Sequence, residues 1–151
     1  MNNYYSNNNL ISCSKEDYSF YVKCDCGKEI LQFYYYEDDG ATGEPIIGIN
    51  YFGHIDSKAS DSYDRSVIFS KKSFLSFVSV LESDGVEYAL NTHDRYFHAK
   101  RHKNTNYIHL IRALSEDYYD KGKYLWDIVI HDSLLSIFLQ ELNKIKDLLQ
   151  Q

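Results

Sequence analysis

The chain has 151 residues, a single proline, seven glycines, 44% hydrophobic content and a formal charge of −6. A chain of this size buries about 68–70% of the surface its unfolded form exposes, so it needs neither metal nor disulfide to build a core. Apolar residues are too many for disorder, and proline and glycine too few for a fibrous chain. No apolar run reaches the roughly 18 residues of a membrane span, which predicts no membrane partner. The first thirty residues lack the basic start and apolar centre of a signal peptide, which predicts a cytoplasmic protein. Tyrosine is the outlier, at fifteen, beside eight phenylalanines and one tryptophan.

Residues 1–15 hold five asparagines and no hydrophobic period, and read as a mobile lead-in to one domain over 16–151. Tyr18–Val22 and Ile30–Tyr36 are rich in aromatic and branched residues and read as strands flanking a turn at Asp25-Cys26-Gly27-Lys28. After an acidic loop at Glu37–Glu44, Ile47, Ile49 and Tyr51 alternate with smaller residues as a third strand. Ser66–Phe69 is a short fourth strand. Ser70 can cap the helix that follows, where Phe74, Phe77, Val78 and Leu81 make one stripe. Strands follow around Val86–Leu90, Arg95–Arg101, Tyr107–Arg112 and Leu125–Ile130. The last helix runs from about Asp132 to Leu149, with Leu135, Phe138, Leu139, Leu142, Ile145 and Leu149 on its apolar side.

A shift of 61 positions lays the second half over the first without a gap over the best-matching region. Val67-Ile68-Phe69 falls on Ile128-Val129-Ile130, and Phe74, Phe77, Val78 and Leu81 fall on Leu135, Phe138, Leu139 and Leu142. Ile47 and Ile49 fall on Ile108 and Leu110 at the same interval. Matching burial positions across two strands and a helix predict a duplication, with halves of about 16–85 and 86–151. The expected class is α+β: two tandem β-β-β-β-α units, their antiparallel sheets enclosing two helices. One unit alone is too small to hide both its helix stripe and its sheet face.

This order of elements resembles the whirly fold of single-stranded nucleic-acid-binding proteins, over residues from about 18 to 149. The resemblance implies a single-stranded nucleic acid as partner. The stretch Phe20–Leu31 also resembles the opening hairpin of small uncharacterised proteins from phages and mobile elements. The Asn-, Tyr-, Lys- and Ile-rich vocabulary fits an AT-rich bacterial or phage genome.

Charge is unevenly placed. Residues 88–112 hold Arg95, Lys100, Arg101, Lys103 and Arg112 against Asp94 alone, a local +4 that leaves −10 elsewhere. Four of the six histidines, His93, His98, His102 and His109, lie in the same segment. On a strand, Tyr96, His98, Lys100 and His102 share one face and Phe97, Ala99 and Arg101 the other. Cations neutralise phosphate while flat rings stack bases, so the expected site is Arg95, Tyr96, His98, Lys100, Arg101, His102, Lys103, Tyr107 and His109. The alternative is an acidic inhibitor or immunity-type protein that blocks another protein. Its surface would be Tyr36, Glu37, Asp38, Asp39, Tyr63, Tyr118 and Tyr119, aromatic rings beside acidic runs. A homo-oligomer is compatible with either.

No cofactor and no catalytic site is expected. The chain has no phosphate-cradling glycine loop and no G-x-S-x-G elbow, and contiguous Glu37-Asp38-Asp39 on a loop is a poor magnesium site. Asp127 and His131, four residues apart, are the one acid–base pair to consider. Cys24 and Cys26 are too close for the usual C-x₂₋₄-C of zinc, with Cys13 and His54 as the only further ligands in view. His98 and His102 form a possible metal pair with no third ligand in view. An odd count of three cysteines suits reduced thiols, and a redox or zinc-linked regulator is the weakest reading.

Overall fold

The computed structural model describes residues 3–4, 10–13, 18–23, 28–37, 43–53, 65–83, 87–92, 95–102 and 107–151. The first sheet is an antiparallel meander of β1 (Asn3–Tyr4), β2 (Leu10–Cys13), β3 (Tyr18–Lys23), β4 (Ile30–Tyr36), β5 (Ile46–Phe52) and β6 (Val67–Phe69). Helix α1 (Lys71–Glu82) follows. The second sheet repeats the meander with β7 (Glu87–Thr92), β8 (Arg95–His102), β9 (Tyr107–Ala113) and β10 (Trp126–Ile130), and α3 (Asp132–Leu149) closes the chain. A short helix, α2 (Glu116–Asp120), interrupts the β9–β10 connection. The architecture is α+β, two antiparallel sheets with α1 and α3 packed between them.

Strand alternation decides what each sheet buries. Phe20 and Val22 on β3, Leu31, Phe33 and Tyr35 on β4, and Ile47, Ile49 and Tyr51 on β5 all face the core. Helix α1 starts on a capping box in which serine stands at both ends. The Ser70 hydroxyl accepts from the Ser73 N–H at 3.1 Å, and the Ser73 hydroxyl accepts from the Ser70 N–H at 2.9 Å. Its buried residues are Phe74, Phe77, Val78 and Leu81. Helix α3 buries Leu134, Leu135, Phe138, Leu142, Ile145 and Leu149. Glu141 is buried in the same stripe, where it accepts from the Tyr18 hydroxyl and pairs with Lys144 at 2.7 Å.

The 61-residue interval holds down to hydrogen-bond register. Ile47, Gly48 and Ile49 pair with Phe69, Ile68 and Val67; Ile108, His109 and Leu110 pair with Ile130, Val129 and Ile128. Two hydrogen bonds join residues that are themselves 61 apart: Trp126 Nε1 donates to the Arg65 carbonyl at 2.7 Å, and Asn143 Nδ2 to Glu82 Oε2 at 3.1 Å. A residue meets its own counterpart only near a two-fold axis, so the halves are arranged as a pseudo-dimer about contacting α1 and α3.

Each helix reaches across that axis. Phe77 of α1 packs on Tyr88 and Phe97 of the second sheet, with ring centroids 5.4 and 5.7 Å apart. Its counterpart Phe138 of α3 packs on Phe20 and Phe33 of the first sheet, at 6.0 and 5.4 Å. Tyr88 holds the register position of Phe20, since their strand partners Ala99 and Phe33 lie opposite Leu110 and Ile49, again 61 apart. The exchange of Phe77 and Phe138 is therefore symmetric, and Phe77 in addition stacks on Phe69 of its own sheet, with centroids 5.3 Å apart.

Two parts of the chain differ from their sequence reading. The asparagine-rich start contributes β1 and β2, and β2 pairs antiparallel with β3. Main-chain pairing at an open sheet edge needs no side-chain period, so pattern alone does not reveal it. The acidic run 116–120 forms α2 rather than a loop, capped by the Ser115 hydroxyl on the Tyr118 N–H, with Glu116 and Asp117 in its first turn. Asp25, Cys26 and Gly27 of the expected hairpin turn lie outside the described residues. Among the described residues no helix is long and apolar enough to cross a membrane.

Removing Phe138 deprives the first sheet of its ring from the other half. Phe138→Ala should cost about 3–5 kcal/mol in urea denaturation, as large-to-small core changes do. Unfolding should stay a single transition by circular dichroism and by Trp126 fluorescence together. Two separated transitions would contradict the crossed packing.

Candidate nucleic-acid interface

On β8, Phe97, Ala99 and Arg101 turn toward the helices, while Tyr96, His98, Lys100 and His102 turn to the outer face. Residues opposite one another in a sheet share a face, so Tyr107, His109 and Ile111 of β9, Asp127 and Val129 of β10 and Glu87 of β7 belong to the same surface. That surface divides in two.

At one end α2 lies on the sheet. The Tyr119 ring sits 5.0 Å from Tyr96 and 4.6 Å from His98, leaving Tyr96 and His98 each 3% exposed. The Tyr119 hydroxyl lies 3.2 Å from His98 Nδ1, and His98 Nε2 lies 3.0 Å from Glu87 Oε2. With Nε2–H donating to the carboxylate, Nδ1 accepts from the tyrosine. Lys100 Nζ reaches the other carboxylate oxygen at 3.3 Å. Hydrogen bonds from His98 and Lys100 hold the Glu87 carboxyl below its ordinary value of 4.5. Burial pushes the Tyr96 hydroxyl up to about 12, and burial also raises Tyr119.

The other end is open. His102 stacks on Tyr107 with centroids 4.3 Å apart and planes at 21°. His109 lies 6.4 Å from His102, and His131, at the N-cap position of α3, lies 6.5 Å from Tyr107. Four rings thus form a ladder across β8, β9 and the start of α3, with Lys100 directly opposite His109. His109 Nε2 is 2.8 Å from Asp127 Oδ2, so Asp127 orients His109 rather than working with His131. Desolvation, then the charges of Lys100 and His109, lower His102 from its ordinary value of 6.5. The shift favours the neutral form of its ring.

The cations counted along residues 88–112 do not form one surface patch. Arg112 is 1% exposed in the core, its Nε donating to the Ser66 carbonyl at 3.1 Å and its Nη1 to the Ala113 carbonyl. Arg101 donates to the Leu81 carbonyl at 2.7 Å and so closes the last turn of α1. Arg95 reaches the Ser66 hydroxyl at 3.4 Å, at the junction of the sheets. Lys103 lies outside the described residues, as do His54, His93, Asp94, Cys24 and Cys26. The structure therefore brings together Lys100, His102, Tyr107 and His109, covers Tyr96 and His98, and places Arg95 and Arg101 elsewhere.

Of the alternative, acidic surface, Tyr36 and Tyr118 are each 41% exposed, and Glu37, Glu116 and Asp117 are exposed beside them. Tyr119 faces the sheet. Asp38, Asp39 and Tyr63 lie outside the described residues. Among the described residues no three His, Cys, Asp or Glu side chains are placed to hold a metal ion. Sequence reasoning missed Glu87 and Val129 and paired Asp127 with His131 instead of His109. The signal for Val129 and Asp127 was register: carrying the Gly48–Ile68 pairing forward by 61 puts Val129 beside His109, with Asp127 one outward position along.

A carboxyl with a lowered value stabilises the fold above its ordinary value and ceases to do so as pH falls through the lowered one. The stability lost in Glu87→Gln should therefore be constant above pH 4.5 and shrink below it, read as urea midpoints of both proteins from pH 7 to 3. A constant difference down to pH 3 would show that the carboxylate is not what holds His98 and Lys100. Comparison of the chain with protein-family models, with curated proteins and with solved structures finds no match to any of them.

Proposed function

We propose that this protein is a non-enzymatic binder of single-stranded nucleic acid, of a phage or mobile-element type, acting in the cytoplasm of a bacterial host. It uses the open end of the second sheet. The observation that carries the reading is the ring ladder His109–His102–Tyr107–His131 with Lys100 on the same outward surface. A flat sheet surface that offers stacked aromatic rings fits unpaired bases, each worth about 1–3 kcal/mol when stacked, and a neighbouring ammonium fits the phosphate between them. Duplex nucleic acid, whose bases are already stacked, gains nothing from such a ladder. The whirly-like order of elements points to the same partner.

Lys100 and His109 are each shared with a carboxylate, Glu87 and Asp127, which tempers attraction to phosphate and suits reversible binding. His102 supplies a pH term. Phosphate favours its protonated form, so binding should tighten as pH falls below 6.5, where the lowered group begins to charge. A second reading, an acidic inhibitor or immunity-type protein, is favoured by exposed Tyr118 on a helix that also exposes Glu116, Asp117 and Asp120.

Fluorescence anisotropy with labelled oligo-dT tests the leading reading. Affinity should fall with added salt, rise as pH falls from 6.5 to 5, and drop about tenfold or more in Lys100→Glu and in Tyr107→Ala. Binding indifferent to both substitutions, or no binding at low salt, would remove this reading in favour of the acidic surface.

A further inference from the structure

The duplication gives every outward position of the second sheet a counterpart on the first. Ile46 stands for Tyr107, Gly48 for His109 and Ile68 for Val129, each 61 residues earlier and in the same register. Through the pairings Tyr34–Gly48 and Tyr36–Ile46 against Lys100–His109 and His102–Tyr107, Tyr34 stands for Lys100 and Tyr36 for His102. The open end of the second sheet is therefore present twice in the molecule, and the two copies differ in chemistry. One carries imidazoles and an ammonium. The other carries a phenol ring and aliphatic side chains.

The first-sheet copy is open too. Tyr36 is 41% and Ile68 43% exposed, and Ile46 is half-buried between them. The Tyr36 ring is backed by Tyr34, with centroids 5.3 Å apart and planes at 36°. Tyr34 in turn lies flat over Gly48, where a Cβ would collide with its ring and with the Val67 carbonyl. The glycine is thus what lets a second ring support the exposed one. Apart from its phenol hydroxyls the patch is apolar, yet a cation stands at its edge. Ile68 lines one small depression together with Leu90, Thr92, Arg95 and the buried Arg112. The Arg95 charge acts on the Tyr34 hydroxyl, countering in part the rise that burial gives it. Glu37 and Glu44 lie on the opposite rim, near Ile46, together with Lys71. A strand crossing here would lay its bases over Tyr36 and Ile68 with a phosphate on the Arg95 side, away from both carboxylates.

We propose that Tyr36, Ile46 and Ile68, backed by Tyr34 and with Arg95 as the cation for phosphate, form a second stacking subsite for the same single strand. The inference rests on the second-sheet surface being the primary contact. It gives the exposed apolar residues of the first sheet an occupant, and gives Arg95, which stands apart from the ring ladder, a place in the interface. A strand long enough to reach both copies is held at two places by one chain, which raises its affinity without any new contact at the first place.

Two oligo-dT lengths separate the subsites: one of about five nucleotides, which fills a single stacking surface, and one of about 25. Tyr36→Ala and Ile68→Asn alter exposed side chains, and unchanged circular dichroism and urea midpoints would show that both variants fold. Each should bind the long oligonucleotide roughly five- to tenfold more weakly than wild type and bind the short one equally. Lys100→Glu should weaken both lengths. If Tyr36→Ala and Ile68→Asn bind the long strand as wild type does, the second subsite is wrong while the primary one stands. If wild type binds neither length, the primary reading fails and this one with it. Should oligolysine bind wild type and lose affinity in Tyr36→Ala while both oligonucleotides are unaffected, the patch is a site for basic protein segments.

Discussion

The contact on which this structure depends is the crossing of two phenylalanines. Phe77 leaves the first half to pack on Tyr88 and Phe97, and Phe138 leaves the second half to pack on Phe20 and Phe33. Each half offers a sheet face and a helix stripe, and each stripe finds rings in the other half, although Phe77 also stacks on Phe69 of its own half. A unit of some 65 residues would otherwise be near the lower size at which a core alone sustains a fold. Crossing makes one core from two marginal ones, and the stacked Tyr51–Trp126 pair, centroids 5.6 Å apart, closes it where the sheets meet.

Once both inner faces are committed to that core, the outer faces are left for other work, and the two have been treated differently. On the second sheet α2 folds back and lays Tyr119 over Tyr96 and His98, closing about half the surface and leaving the imidazole ladder at the other end. On the first sheet a hydrogen-bonded row runs across the middle: Gln32 Nε2 donates to the Tyr21 hydroxyl at 3.2 Å, and Asn50 Nδ2 to Gln32 Oε1 at 3.1 Å. Gln32 and His98 hold the same position in the two halves, as do Asn50 and Ile111. One scaffold position can therefore be a self-satisfied polar row in one copy and a covered aromatic seat in the other. Duplication supplies a spare surface that can diverge while the crossed core is kept.

Much of this was legible along the chain because burial leaves a period. The stripe of α1, the stripe of α3, the alternation of β5 and the 61-residue interval all follow from which residues must avoid water, and each appears where its spacing placed it. Charge leaves no such trace. Arg101 and Arg112 look like surface cations in sequence, yet one closes a helix end and the other sits in the core bonded to carbonyls. Nothing local distinguishes an arginine that meets solvent from one that meets a backbone carbonyl 46 residues away. Tyr96 and His98 were assigned to the outward face by period alone, and the assignment of side is right. Their burial comes from Tyr119, more than twenty residues later, on a helix too short to announce itself. Three of the four ladder rings were legible in the sequence. His102, Tyr107 and His109 were seen, whereas His131 joins them only because β10 delivers the start of α3 to the edge of the same surface.

The claim that matters most is where a single strand lies, and residue-resolved NMR of the labelled protein titrated with oligo-dT addresses it directly. The account predicts shifts that are largest at Lys100, His102, Tyr107, His109 and Val129, with the imidazole signals of His102 and His109 moving together. The core rings Phe77 and Phe138 should stay unmoved. A response centred on Tyr118, Glu116 and Asp117 of α2, or none at saturating oligonucleotide, would contradict it.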